Sequence, residues 1–298
     1  MRDVDLREAV PSDENDVASI AERVLLPADS SDRDNLRRFL WETPDMIRVA
    51  AVQDQRLVGA AFGTTSRAPA STDAGSVAFL VVHPDHQRRG VGGALLTEVE
   101  RRFAARRVNV VSAGGGLPRF WWAGVDEEYR AALQFFRKSG YVESDETVNM
   151  TAPTGAGETE SPLPAGVSIE RLDAGTWPSF HAWLRDEWTD EFWAWADEVE
   201  PALHREPPSC FIALRDGRFL GFAAYDTNRH GWFGPMGTSP EARGTGIGAA
   251  LLRRCAKDLR ELGDQAFDIG SAGPRDFYRK TVGAEISRRF LLLRKTLD

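Results

Sequence analysis

Two glycine-rich turns constrain this chain more than any other feature. The stretch from His83 to Leu96 carries Pro84, Gln87, Gly90, Gly92 and the run Ala94-Leu95-Leu96. The stretch from Ser239 to Leu252 carries Pro240, Arg243, Gly246, Gly248 and Ala250-Leu251-Leu252 at the same offsets. A glycine-rich turn that opens a helix is an anion cradle. Its backbone N–H groups point outward and the helix dipole adds positive potential. Two copies predict two similar domains, each with a phosphate site or the remains of one.

A chain of 298 residues is long enough for two domains of ordinary size. Thr151 to Gly166 is small, polar and proline-bearing, and lies where the repeat needs a boundary. The expected division is residues 1–152, a linker at 153–166, and residues 167–298. A net charge of −8 and a pI near 5.3 argue against nucleic acid or an anionic membrane as partner. No apolar run approaches the roughly 20 residues of a membrane span. The charged start Met1-Arg2-Asp3-Val4-Asp5 lacks the apolar core of a signal peptide. Cys210 and Cys255 are too few for a disulfide framework and lack metal-ligand spacing, so two buried thiols and no metal are expected. A cytoplasmic protein fits these features.

Apolar periodicity fills in the elements. In the first half it predicts a strand over Val4–Val10 and helices over Asp13–Leu26 and Asp32–Trp41. A hairpin of Arg48–Val52 and Leu57–Phe62 follows, then a buried strand Val77–Val82. Helix Gly90–Arg106, strand Val108–Ser112, helix Glu128–Ser139 and a closing strand Tyr141–Met150 complete the half. The second half repeats the order. Val167–Leu172 starts it, and helix comes from Pro178–Val199. Cys210–Leu214 and Phe219–Tyr225 form the hairpin. Gly231–Gly237 leads to helix Ile247–Leu262, strand Ala266–Gly270, helix Pro274–Val282 and strand Ile286–Leu293. The fold class is α/β, a central mixed sheet flanked by helices in each domain. The halves differ in length: 49 positions separate Gln87 from Phe136, and 35 separate Arg243 from Tyr278. The extra length is the glycine- and tryptophan-rich loop 114–126. It reads as a lid packed on the other domain or as a wall of a substrate pocket.

Gln87-x-x-Gly90-x-Gly92 and Arg243-x-x-Gly246-x-Gly248 resemble the acyl-CoA pyrophosphate loop of the GCN5-related N-acetyltransferases. The aromatic pairs of that family match Phe135-Phe136 before Gly140, and Phe277-Tyr278 before Gly283. The resemblance covers nearly the whole chain as a tandem of two such domains. It implies acetyl-CoA as acyl donor. The cradle residues would be Gln87, Arg88, Arg89, Gly90, Val91, Gly92 and Gly93 in the first copy. In the second they would be Arg243, Gly244, Thr245, Gly246, Ile247 and Gly248, with Phe277. The strand before each loop would splay from its neighbour and pair with the pantetheine arm through Leu80 and Val82, or Met236 and Thr238.

The resemblance also makes Tyr278 the general acid that protonates the leaving thiolate. Phe136 stands at the matching place and has no proton to give, so chemistry is expected in the C-terminal domain. One departure is a longer spacing from Tyr278 to Gly283 than from Phe136 to Gly140. No motif marks the base; Glu198, Asp226 and His230 are candidates, and a turn role competes for Asp226 and His230. His83 and His86 read as surface residues. Between Trp183 and Glu200, seven acids stand against Arg185 among many aromatics. That composition suits a small cationic amine acceptor (an amino sugar, aminoglycoside or polyamine) and equally a solvated acidic helix face. Two other readings stand beside the enzyme. One is a CoA-responsive regulatory module without turnover. The other is an acyltransferase with a different acyl group, an O-acceptor or a protein acceptor. The oligomeric state is left open.

Overall fold

The computed structural model describes residues 4–66, 73–116, 119–159, 161–189 and 192–297. Two compact units emerge: residues 1–146 with 290–298, and residues 147–289.

In unit 1, β1 (Asp5–Glu8) leads through α1 (Glu14–Val24), α2 (Pro27–Ser30) and α3 (Arg33–Glu42) to the hairpin of β2 (Ile47–Gln53) and β3 (Arg56–Thr65). The hairpin turns at Asp54 and Gln55, both at positive φ, the twist-matched form for a two-residue connection. Then come β4 (Ala74–Val82), α4 (Val91–Ala105), β5 (Val110–Ala113), β6 (Val125–Asp126), α5 (Arg130–Lys138) and the start of β7 (Val142–Pro153). α4 buries Val91, Leu95, Leu96, Val99 and Phe103, a three-to-four-residue stripe, on one sheet face. α1 and α3 cover the other with Val17, Ile20, Ala21, Leu36, Phe39 and Leu40. Truncating the fully buried Leu95 to Ala would cost about 2–5 kcal/mol.

Unit 2 repeats the plan. β8 (Val167–Arg171), α6 (Trp177–Glu187) and α7 (Trp195–Leu203) precede the hairpin of β9 (Cys210–Arg215) and β10 (Arg218–Tyr225). β11 (Trp232–Thr238), α8 (Ile247–Glu261), β12 (Ala266–Ile269) and α9 (Arg275–Val282) follow, with β13 (Glu285–Thr296) last. α8 covers one face of the sheet, and α6 with α7 covers the other. Both cysteines are fully buried and free.

Three expectations change. First, the closing strands are exchanged. Met150 to Pro153 of β7 pair with β12 in unit 2, and Leu293 to Thr296 of β13 pair with β5 in unit 1. Both strands carry an ordinary strand pattern, which does not say which sheet each joins. Second, Pro178–Val199 is not one helix. α6 ends before Trp188, which has extended dihedrals, and α7 starts at Trp195. Asp190 and Glu191 lie outside the described residues. Third, the 114–126 loop contributes to the core of unit 1 itself. Trp121 is buried beside Phe39 and donates its indole N–H to the Asp29 carbonyl, while Trp122 stacks on Phe79. Leu117 and Pro118 of that loop lie outside the described residues.

Among the described residues, no helix is long and apolar enough to cross a membrane.

Candidate active site

Each unit opens its sheet at the same place. β5 runs beside β4 only from Ala74 to Val77, so β4 continues to Val82 without that neighbour. β12 runs beside β11 only at Trp232 and Phe233, and β11 continues to Thr238. The open edges carry N–H donors in a definite order. His83 donates to Val58 on β3, and Ser239 donates to Leu220 on β10. Backbone groups alternate sides along a strand. The N–H groups of Leu80 and Val82, and of Met236 and Thr238, therefore point to the open side.

A short 3-10 turn, Pro84–His86 or Pro240–Ala242, carries each strand into its loop. Gln87 Nε2 donates to the Val82 carbonyl at 3.0 Å, and Arg243 Nε to the Thr238 carbonyl at 3.3 Å. These two side chains thus brace loop to strand, a job not read from the sequence. Arg88 and Gly244 hold the same left-handed conformation, at φ 61° and 75°. Gly90 and Gly246, at 88° and 89°, begin the helices, where a Cβ would be strained. Val91 and Ile247 are buried and anchor the first turns. The N–H groups of Val91, Gly92 and Gly93, and of Ile247, Gly248 and Ala249, have no partner within their helices and face outward. Arg88, Arg89, Gly244 and Thr245 are exposed at the lip.

Loop, strand and aromatic helix converge. A Cβ on Gly92 would stand 3.6 Å from the Phe135 ring and 3.7 Å from Val82. One on Gly248 would stand 3.2 Å from Thr238 Oγ1 and 3.6 Å from both Met236 and Phe277. A diphosphate on outward N–H groups, continued by an extended amide arm along the open edge, fits this arrangement in both units.

The second aromatic of each pair differs. Phe136 packs edge-on against Tyr141 in the core of unit 1. Tyr278 packs edge-on against Phe233, the last residue of β11 paired with β12, so its ring stands at the fork. Burial pushes the Tyr278 phenol up to about 12.

On the other face of unit 2, Trp188 and Trp195 press against Gly237. A Cβ there would lie 2.5 and 2.9 Å from those rings. Phe192 stacks on Trp195 at 4.4 Å and is 42% exposed. Glu198, one turn beyond Trp195 on α7, is buried and accepts from Asn228 Nδ2 at 2.7 Å. Asn228 Oδ1 is buried without a partner. Its neighbour Thr227 donates to the Gly234 carbonyl at 2.9 Å, beside the fork. Nothing in the sequence singled out Asn228, because a polar run between two strands is ordinary for a turn.

Asp226 is engaged on both oxygens. Oδ1 accepts from the Gly231 N–H at 2.6 Å, and Oδ2 takes Arg205 at 2.6 Å and meets His230 at 3.3 Å. Burial raises its carboxyl above the usual range, against the pull of Arg205 and His230. Arg185 lies over Trp193 at 3.4 Å and pairs with Asp197, so the acidic segment is partly neutralised.

The sequence pattern of the acetyltransferase (GNAT) family matches residues 15–141 and again 170–284. A mycothiol acetyltransferase of Mycobacterium sp. (strain JLS) is 30% identical over 291 residues, covering 84% of this chain and 82% of that protein. One from Geodermatophilus obscurus is 31% identical over 209 residues, covering 62% of each. This chain thus spans less than two thirds of that second relative. Among solved structures, a glucosamine N-acetyltransferase region of a fungal multi-domain β-N-acetylglucosaminidase superposes at a TM-score of 0.79. It is 16% identical and covers 99% of this chain and 38% of that one. A tandem GNAT protein from the clavulanic acid biosynthesis pathway superposes at 0.71, with 16% identity and 99% and 98% coverage. The two pattern matches, falling on two units of one plan, show that this chain belongs to the acetyltransferase (GNAT) family, with two such domains in tandem.

Proposed function

We propose that the protein transfers an acetyl group from acetyl-CoA, the acyl donor of its family, to a primary amine of a small cationic acceptor, and that unit 2 performs the chemistry. One observation carries this reading: at the second aromatic position unit 2 has Tyr278, whose ring packs on Phe233 at the fork, where unit 1 has Phe136 in its core.

In this reading the cradle around Gly246 and Gly248 holds the diphosphate. The Met236 and Thr238 N–H groups hold the extended arm, and a donor on this edge steadies the thioester oxygen as it gains charge. The acceptor enters over Phe192 and Trp195, whose ring faces suit a cation or the apolar face of a sugar. Glu198 receives the ammonium and passes one proton to solvent, with the unanswered Asn228 Oδ1 beside it. The neutral amine attacks the carbonyl carbon, the C–S bond breaks, and the second proton of the nitrogen passes through solvent to the departing thiolate, leaving the amide and the free thiol of CoA. The Tyr278 hydroxyl donates to the sulfur as it leaves. A phenol near 12 is about 3.5 units above a thiol near 8.5, so full transfer to a free thiolate would cost about 5 kcal/mol. Tyr278 therefore acts chiefly as a hydrogen-bond donor during cleavage. Asp226 serves the loop rather than the reaction, because its oxygens are already engaged.

Support for a small acceptor comes from relatives named for mycothiol acetylation. Thiol release from acetyl-CoA should be measured over a panel of amino sugars, aminoglycosides and polyamines. Saturable turnover with one class supports the reading. No turnover with any of them, despite tight CoA binding, would favour a regulatory module.

A further inference from the structure

The second cradle has a cationic neighbour that the first lacks. After β7 the chain forms a short 3-10 helix, Thr154–Glu158, that crosses α8 so closely that a Cβ on Gly157 would stand 2.4 Å from the backbone nitrogen of Lys257. It then returns toward the start of α8, where the Pro162 carbonyl lies 3.6 Å from the place of a Cβ on Gly246. Between this strap and α8 lies a cavity of about 660 Å³. Ala250, Arg253, Arg254 and Lys257 line it from α8, one helical stripe that starts a turn beyond Gly246.

The charge balance of this cavity is positive. Among the described lining residues, three cations face one carboxylate, Glu158, which pairs with Arg260 at 3.2 Å, while Lys257 reaches the exposed Glu261 at 3.9 Å. Arg253 is held in place by Ser161 and by the Thr281 carbonyl, yet its Nε is buried with no acceptor. A fixed guanidinium with an unanswered N–H suits a tetrahedral oxyanion. The repeat provides an internal control. The positions in α4 that match Arg253, Arg254 and Lys257 are Thr97, Glu98 and Arg101. There Glu98 binds both Arg101 and Arg102, so unit 1 presents a carboxylate and neutralised guanidiniums in place of three cations.

We propose that this cavity binds a phosphate group. The group has two sources: the 3′-phosphate of the donor whose diphosphate rests on the adjoining cradle, or a separate phosphorylated small molecule. The site stands independently of the acceptor and of the role of Tyr278.

The test is calorimetry on the full chain with CoA, dephospho-CoA and inorganic phosphate, comparing wild type with Arg254→Glu/Lys257→Glu and with the milder Arg254→Gln/Lys257→Gln. Both side chains are exposed, so the variants should fold, and circular dichroism checks this. If the donor supplies the phosphate, wild type binds CoA about tenfold or more tighter than dephospho-CoA at one site, and both variants lose that preference. If a free ligand supplies it, the preference is missing but inorganic phosphate binds saturably to wild type and not to the variants. Variants that keep both the CoA preference and the phosphate binding of wild type would overturn the proposal, as would a wild type showing neither.

Discussion

The two units share a cradle and differ at the fork. In both, a strand leaves its parallel neighbour, two N–H groups face the gap, and a glycine turn starts a helix against an aromatic ring. In unit 1 the second aromatic is Phe136, buried against Tyr141, and Trp122 lies on Phe79 just beyond the last paired residue of β4. In unit 2 it is Tyr278, and the facing side carries Trp195, Glu198 and Asn228. Binding geometry is thus present twice, while the proposed proton chemistry belongs to one copy. A cradle needs only backbone and small residues, so it tolerates drift. A reacting centre needs particular side chains at particular places.

The comparison can be strained from its heaviest element downward. Trp121→Ala removes a buried indole and its bond to Asp29. It should cost unit 1 about 3–5 kcal/mol, roughly 10 °C in its thermal transition. A shift of only a degree or two would mean that the loop is not part of the core. Tyr278→Phe should lower kcat by about 100-fold with little change in CoA affinity, since the ring packing survives. Unchanged kcat would remove the hydroxyl from the mechanism. Asn228→Ala should raise the acceptor KM by about tenfold and leave the donor KM alone; a matching loss in both would mark a purely structural side chain. Gln87→Ala and Arg243→Ala each remove one brace, worth about 0.5–1.5 kcal/mol, and each should weaken CoA binding severalfold only in its own unit.

The pH dependence carries its own sign. In the proposed mechanism Tyr278 works protonated, and burial raises its pKa to about 12, so kcat should show no alkaline fall below about pH 11. The same shift contributes stability that is complete below pH 10 and lost as pH rises from 10 through 12. A limb of kcat near pH 9 that disappears in Tyr278→Phe would contradict the assignment.

Much of this was legible in sequence, for physical reasons. Repeated Gly90-x-Gly92 and Gly246-x-Gly248 announce two helix entries because few residues tolerate that path. The hairpins at Asp54 and Asp216 follow from turn chemistry. The open edges came only through the family resemblance, since a strand's pattern does not report where its neighbour ends. The exchange of β7 and β13 was invisible for the same reason. The break near Trp188 was hidden because Phe180, Leu184, Trp188, Trp195 and Val199 keep a helical spacing across it. Asn228 gained meaning only once its oxygen was seen to be buried and unanswered.

The central claim is two cradles and one reacting centre. It is tested most directly by measuring thiol release and CoA stoichiometry together on wild type, Gly92→Glu and Gly248→Glu. A carboxylate at either position faces the diphosphate and should weaken its own site by at least about 100-fold. The account predicts that each variant loses one CoA site and that only Gly248→Glu loses turnover. Turnover that survives in Gly248→Glu and disappears in Gly92→Glu would contradict it.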